Sequence, residues 1–193
     1  METALDRVPH HPTLLQRAVP VLGLPVALLL GTWIAVGRGL AGAAGELVLL
    51  YTLTLALPLT GLLVVASALL VRDARAHVPR GASLRSALTM PAAWAVLLGF
   101  GAVLPDRVDG AGASVLTRAT DPVHLGLSAG FANTLGILSF VLASTTVVLA
   151  ASDLRRTRRI QRGEPLSEDE ILDLQGLRPA RAATGLAAPG GPR

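Results

Sequence analysis

Four long apolar runs dominate the chain, and short segments rich in arginine, aspartate or glycine separate them. The runs cover residues 18–37, 47–71, 86–104 and 125–151. Each run is close to or longer than the roughly 20 residues that a helix needs to cross a hydrocarbon core of about 30 Å. None of them carries a charged side chain in its interior. The pattern therefore predicts an all-α, polytopic membrane protein whose four transmembrane helices form two hairpins.

The arginines predict the side of the membrane on which each loop lies, because cytoplasmic loops carry an excess of Lys and Arg. Most of them precede run one, join runs two and three, or follow run four, and the loops on the other side hold far fewer. The first group is Arg7, Arg17, Arg72, Arg75, Arg80, Arg85, Arg155, Arg156, Arg158, Arg159 and Arg162, and the second is Arg38, Arg107 and Arg118. We therefore expect both termini in the cytoplasm.

The segments outside the runs complete the predicted domain organisation. Residues 1–17 form a cytoplasmic N-terminus, and residues 18–151 form the transmembrane domain. Residues 152–177 combine a basic juxtamembrane segment with a short amphipathic helix. Residues 178–193 are rich in Ala, Gly and Pro, which predicts a disordered tail. An alternative is that run one is a cleaved signal peptide, since Ala41, Gly42 and Ala43 form a small-residue processing sequence after an apolar run.

Composition narrows the class of protein further. The chain is 51% hydrophobic and 16% charged, whereas soluble domains carry about 25% charged residues. The formal net charge is +4, and every basic residue is arginine. Most of these arginines lie beside apolar runs, which favours contact with a membrane surface over binding of nucleic acid. The absence of cysteine excludes disulfides and thiolate metal sites. The excess of Ala, Gly, Leu, Val and Arg resembles proteins of GC-rich bacteria, so we expect a bacterial cytoplasmic membrane.

Run four carries small and polar residues on one helical face. Gly126 and Gly130 form a GxxxG pair, and Asn133 and Ser144 follow at helical spacing. Small residues let two helices approach closely, and an asparagine amide bonds across such a contact. We expect this face to pack against another span of the chain. Two alternatives are a contact with a second copy and a ligand path lined by Asn133, Ser139 and Thr146.

A proline in run two suggests a hinge. Pro58 lies deep within the run, and proline removes a backbone hydrogen bond and kinks a helix. Membrane helices tolerate such kinks when neighbouring groups satisfy the freed carbonyl. A static kink is therefore the alternative to a gating hinge.

The region after run four predicts two kinds of contact. Its arginines lie where they can attract anionic lipid headgroups, at about 1 kcal/mol each. Ser167 and Glu170 form a capping box for a short helix, whose apolar side chains are expected to dock on a partner. The headgroup residues are Arg155, Arg156, Arg158, Arg159 and Arg162, and the docking residues are Ile171, Leu172 and Leu174.

Residues that carry chemistry elsewhere form no recognised motif here. The segment from Asp106 to Gly110 lacks the alternating ligands and distal glutamate of a calcium-binding loop, so we interpret it as a solvated loop. The predicted topology places the four histidines on both sides of the membrane. We therefore expect no catalytic, cofactor or metal site.

These patterns favour a non-catalytic accessory subunit or scaffold of a bacterial membrane complex. Such a protein would act through the lipid bilayer and through a membrane-protein partner or further copies of itself, without nucleic acid. A small oligomeric transporter or channel subunit and a membrane-embedded enzyme are the alternatives. A transporter is expected to carry an ionisable residue near the bilayer midplane, and the runs contain none there.

Overall fold

The computed structural model describes residues 8–9 and 12–163, and helices make up most of this part of the chain. Within it, four helices are long and apolar enough to cross a membrane: α1 (Leu14–Ala35), α2 (Val48–Arg75), α3 (Leu84–Val103) and α5 (Leu125–Gln161). This result confirms a mostly helical chain whose four long helices have the length and apolar composition of membrane spans. In chain order the elements are β1 Val8–Pro9, α1 Leu14–Ala35, α2 Val48–Arg75, β2 His77–Val78, α3 Leu84–Val103, β3 Asp106–Val108, β4 Ala111–Ala113, α4 Val115–Ala119 and α5 Leu125–Gln161.

Two of the long helices begin before their apolar runs because polar residues cap them. Thr13 caps α1 through a capping box, in which its hydroxyl accepts from the backbone N–H of Gln16 and its own N–H donates to Gln16 Oε1. Ser83 caps α3 by accepting from the N–H of Ser86. Each cap satisfies backbone donors that the first helical turn leaves free. The helices therefore begin at Leu14 and Leu84, ahead of the apolar runs that start at residues 18 and 86.

Consecutive long helices run in opposite directions. Gly23 of α1 lies against Ser67 of α2, and Gly31 lies against Thr60. A Cβ at Gly31 would overlap the hydroxyl of Thr60, so glycine is what allows α1 and α2 to approach closely there. We call the end of the bundle where α1 and α3 begin the basic end and the opposite end the loop end. The largest fully buried apolar side chains are Ile34, Leu59, Leu63, Leu70, Met90 and Leu97.

A π-helical turn interrupts α2 just before Pro58. It spans Thr52–Ala56, and the N–H of Leu57 donates to the carbonyl of Thr52, five residues back. Pro58 has no N–H for the carbonyl of Thr54, and regular α-helix continues from Leu57 to Arg75. Pro58 therefore lies at a break in the helical hydrogen-bond pattern, and its movement as a hinge stays a prediction.

The chain divides into two compact units, Met1–Thr157 and Arg158–Arg193. The first contains the four apolar helices over most of their length. The described part of the second continues the helix to Gln161 and reaches Gly163, whose φ is 70°. The predicted short helix with Ile171, Leu172 and Leu174, and the predicted disordered tail over residues 178–193, lie outside the described residues.

Candidate functional site

A buried ion pair joins two loops at the loop end. Arg38 lies in a 3₁₀ turn after α1, and Asp106 begins the β3–β4 hairpin. Arg38 Nη2 lies 3.2 Å from Asp106 Oδ2, and both side chains are 0% exposed. The hairpin turns at Asp109 and Gly110, which both have positive φ, as tight hairpin turns require. The N–H of Glu46 donates to the carbonyl of Arg107 across the same junction, at 2.9 Å.

Each nitrogen of the Arg38 guanidinium has an acceptor. Nε donates to the carbonyl of Ile34 at 3.2 Å, Nη1 to the carbonyl of Leu104 at 3.1 Å, and Nη2 to Asp106. The guanidinium also lies 5.1 Å from the ring centroid of Tyr51, within cation–π range. Desolvation lowers the pKa of Arg38, although the Asp106 carboxylate opposes this effect.

Each oxygen of the Asp106 carboxylate accepts two hydrogen bonds. The backbone N–H groups of Gly45, Leu47 and Arg107 donate at 3.0, 2.9 and 2.7 Å, and Arg38 supplies the fourth bond. Desolvation raises the pKa of Asp106, but these backbone bonds and Arg38 outweigh it, so that the pKa lies below its usual value. The expected solvated loop is therefore wrong at Asp106, because the hairpin folds its carboxylate inward.

The bonds of this pair stay within the chain. The Asp106 carboxylate and the Arg38 guanidinium bond to one another and to nearby backbone groups. The pair joins the loop after α1 to the hairpin after α3, and Tyr51 strengthens that junction by donating from its hydroxyl to the carbonyl of Pro105 at 2.8 Å. A signal in the sequence was available: opposite charges adjoin two spans at the same predicted membrane surface.

A second polar network joins α5 to α2 and α3 at the basic end. The Thr157 hydroxyl donates to Asp73 Oδ1 at 2.7 Å, and Asp73 is 1% exposed. The hydroxyls of Ser83 and Ser86 both donate to Asp153 Oδ2. The predicted span boundary at residue 151 therefore lies within a longer helix, because these side chains hold the next turns of α5 against the bundle.

The predicted packing face of α5 points away from the other helices. Gly126, Gly130, Asn133 and Ser144 are exposed in the single chain, and a Cβ at either glycine would meet no atom within 4 Å. Contacts within the chain use another face of α5, on which Gly136 packs against the ring of Phe100. The expectation of packing within the chain is thus corrected. The buried face consists of Ser128, Ala132, Ser139, Ala143, Thr146, Ala150, Leu154 and Thr157.

The proposed ligand path is not assembled either. The hydroxyls of Ser139 and Thr146 donate to the carbonyls four residues back in their own helix, each at 2.7 Å. Asn133 lies on the exposed side of α5. These three side chains therefore do not line a common channel.

Asn133 instead lies beside an apolar groove of about 410 Å³ that opens on the side of the bundle. Tyr51 and Leu55 of α2 form one wall, and α5 forms the other. Among the residues that the structure describes, the Asn133 amide has no hydrogen-bond partner. The complete lining is Tyr51, Leu55, Phe100, Leu104, Pro105, Ala129, Ala132, Asn133, Gly136, Ile137 and Phe140.

The arginines predicted to meet lipid headgroups lie at the end of α5. Arg155, Arg158, Arg159 and Arg162 are exposed, and Arg156 is partly buried. Within residues 8–9 and 12–163, no group of three or more His, Asp or Glu side chains could hold a metal ion.

No protein-family model, curated protein or solved structure matches the chain.

Proposed function

We propose that this chain is a non-catalytic accessory subunit or scaffold of a bacterial cell membrane, with both termini in the cytoplasm. It acts through lateral contacts between the outer face of α5 and another membrane helix. The observation that carries this proposal concerns Asn133 on the exposed side of an apolar helix: its amide has no hydrogen-bond partner within residues 8–9 and 12–163.

The position of Asn133 makes its exposure costly in a bilayer. It lies eight residues after Leu125, where α5 begins, which is about 12 Å along the helix axis. Hydrocarbon offers no hydrogen-bond partner to an amide at that depth, and an unsatisfied polar group there costs several kcal/mol. A bond from a neighbouring helix would remove part of that cost and contribute about 0.6–2 kcal/mol.

The glycines beside Asn133 support the same contact. Gly23 and Gly31 of α1 pack closely against side chains of α2. A Cβ at Gly126 or Gly130 of α5, by contrast, would meet no atom within 4 Å. Open glycines permit the close backbone approach on which membrane helix pairs depend. The outer face of α5 therefore has the composition of a helix–helix contact, and the described residues of the chain do not cover it.

The charges of the described bundle favour a scaffold over a transporter. Arg38 and Asp106 pair at the loop end, and Asp73 and Asp153 accept hydrogen bonds at the basic end. Transport and proton paths use ionisable side chains near the bilayer midplane. The charged groups here lie at the two ends of the bundle, where they join its helices and loops.

Site-specific photo-crosslinking in native membranes tests the proposal. A photoreactive residue replaces Ile137, which is 61% exposed on the outer face of α5, or Leu29, which is 69% exposed on α1. We expect a protein adduct from position 137 that Gly130→Leu weakens, and lipid adducts alone from position 29. The mass of the adduct identifies a second copy or another protein. Equal labelling at both positions, or no protein adduct at 137, would refute the contact.

A further inference from the structure

A cleft of about 400 Å³ opens at the basic end, between the start of α1 and the end of α2. Three arginines surround it, and apolar side chains of α1 continue from it along the bundle. We infer that this cleft binds an anionic phospholipid, with the phosphate on the arginines and the upper part of an acyl chain along α1. The lining residues are Arg17, Pro20, Val21, Leu24, Pro25, Val71, Ala74, Arg75, Arg80 and Gly81.

A proline in α1 helps to build this cleft. Pro20 has no N–H to donate to the carbonyl of Gln16, and the N–H of Ala82 donates to that carbonyl instead, at 2.9 Å. Gln16 Nε2 in turn donates to the carbonyl of Ala82 at 3.0 Å. These two bonds hold the α2–α3 loop on the first turns of α1. As a result, Arg80 and Gly81 line the cleft together with Arg17.

The three arginines make the cleft positively charged, which favours binding of an anion. Arg17, Arg75 and Arg80 are exposed, and none of them has an ion-pair or side-chain hydrogen-bond partner among the described residues. Each nitrogen of the Arg38 guanidinium, by contrast, has an acceptor, and one of these acceptors is the Asp106 carboxylate. Guanidinium groups bind phosphate oxygens through paired, charge-assisted hydrogen bonds. A phosphodiester would offset the mutual repulsion of three cations around one cleft.

The apolar surface identifies the anion as a lipid. Val21 is 74% exposed and Leu24 is 49% exposed, and both lie on the bilayer side of Arg17. From Arg17 to Leu24 the helix rises about 10 Å, so the apolar lining continues from the headgroup level into the hydrocarbon. A free phosphate would contact the arginines alone. A phospholipid matches both parts of the cleft, as basic pockets between transmembrane helices do elsewhere.

The lining of this site includes none of the arginines at the end of α5. Arginines that only set topology need a position near the membrane surface and no common cleft. Here, residues from α1, from α2 and from the loop after it surround one cavity. The lipid site does not depend on the lateral contact of α5, so either proposal can fail without the other.

Native mass spectrometry of the full-length protein tests the inference. The protein is released from vesicles that contain equal amounts of phosphatidylglycerol and phosphatidylcholine. We expect one phosphatidylglycerol to be retained in preference to phosphatidylcholine. The combined variant Arg17→Gln, Arg75→Gln and Arg80→Gln should lower the apparent affinity by about tenfold or more, since each arginine contributes a few-fold. A control variant that removes the same charge from arginines outside the cleft lining should stay within about twofold; it carries Arg85→Gln, Arg155→Gln and Arg159→Gln.

A second pair of variants tests the acyl-chain part without changing charge. Val21→Trp should obstruct the cleft and reduce retention of phosphatidylglycerol, whereas Leu29→Trp, at a similarly exposed position of α1, should not. Millimolar inorganic phosphate should leave the lipid bound. Equal retention of the two lipids, equal loss in both arginine variants, or displacement of the lipid by inorganic phosphate would each overturn the inference.

Discussion

Replacing Asp106 with asparagine should destabilise the protein strongly, because it leaves the Arg38 guanidinium buried without its counter-ion. Both side chains are 0% exposed, so water cannot replace the lost carboxylate. Removing one partner of a buried ion pair costs about 3–5 kcal/mol. The asparagine amide also turns a donor toward backbone N–H groups that now bond to the carboxylate. We therefore expect Asp106→Asn to lower the free energy of unfolding by about 3–5 kcal/mol.

The cost should depend on Arg38. In an Arg38→Met background no buried cation remains, so Asp106→Asn loses the backbone bonds and not the ion pair. The backbone bonds are lost in both backgrounds, so the non-additive part is the charge-assisted bond between Arg38 and Asp106. Hydrogen bonds to charged groups contribute about 1.5–3 kcal/mol, and we expect the two substitutions to be non-additive by about that amount. The cycle is informative because the two residues are in direct contact.

Unfolding in mixed micelles with increasing dodecyl sulfate, followed by the fluorescence of Trp33 and Trp94, measures these free energies. Arg107→Met is the control, since its side chain is exposed in the same hairpin; it should change stability by less than about 0.5 kcal/mol. If Asp106→Asn costs as little as the control, or if the two substitutions are additive, the ion pair does not stabilise the loop end.

The same structure makes three further predictions. Because the folded-state pKa of Asp106 lies below its usual value, its stabilisation is present at neutral pH and is lost as the pH falls below about 4; acid titration of stability should show this loss in the native chain and not in Asp106→Asn. Gly31→Ala should lower the melting temperature, at about 1–3 kcal/mol for overpacking, whereas Gly130→Ala should not, and equal effects would contradict the observed packing. Reporter fusions should place Gly42 and Gly110 outside the cell and the α2–α3 loop and C-terminus inside; an external C-terminus would reverse the proposed orientation.

The four long apolar helices could be predicted because a bilayer requires a length and a composition that the sequence displays directly. Their ends were less predictable, since Thr13, Ser83, Asp153 and Thr157 extend helices through polar hydrogen bonds. Helix periodicity identifies which residues share a face, and it does not reveal which face lies inward. For that reason the Gly126–Gly130 pair could be placed on one side of α5 without showing that this side is exposed.

The Arg38–Asp106 ion pair was not predicted from the sequence, for a different reason. Arg38 and Asp106 are 68 positions apart, and each alone is typical of a membrane-edge or loop residue. Their contact depends on the hairpin turn at Asp109 and Gly110 and on the three backbone donors that receive the carboxylate. Such a site depends on the tertiary placement of two loops, which a local pattern does not contain.

The way in which α5 is held explains why its outer face can be tested without unfolding the chain. Near its start, the Ser128 hydroxyl donates to the carbonyl of Val103 at 2.7 Å, and near its end Thr157 and Asp153 bond to α2 and α3. Gly130 lies between these anchors with open space above it. A bulky side chain at Gly130 would therefore contact a partner helix and not the other helices of its own chain. Loss of association with an unchanged melting temperature is therefore the result expected of a contact face, whereas loss of both would indicate that Gly130 supports the fold.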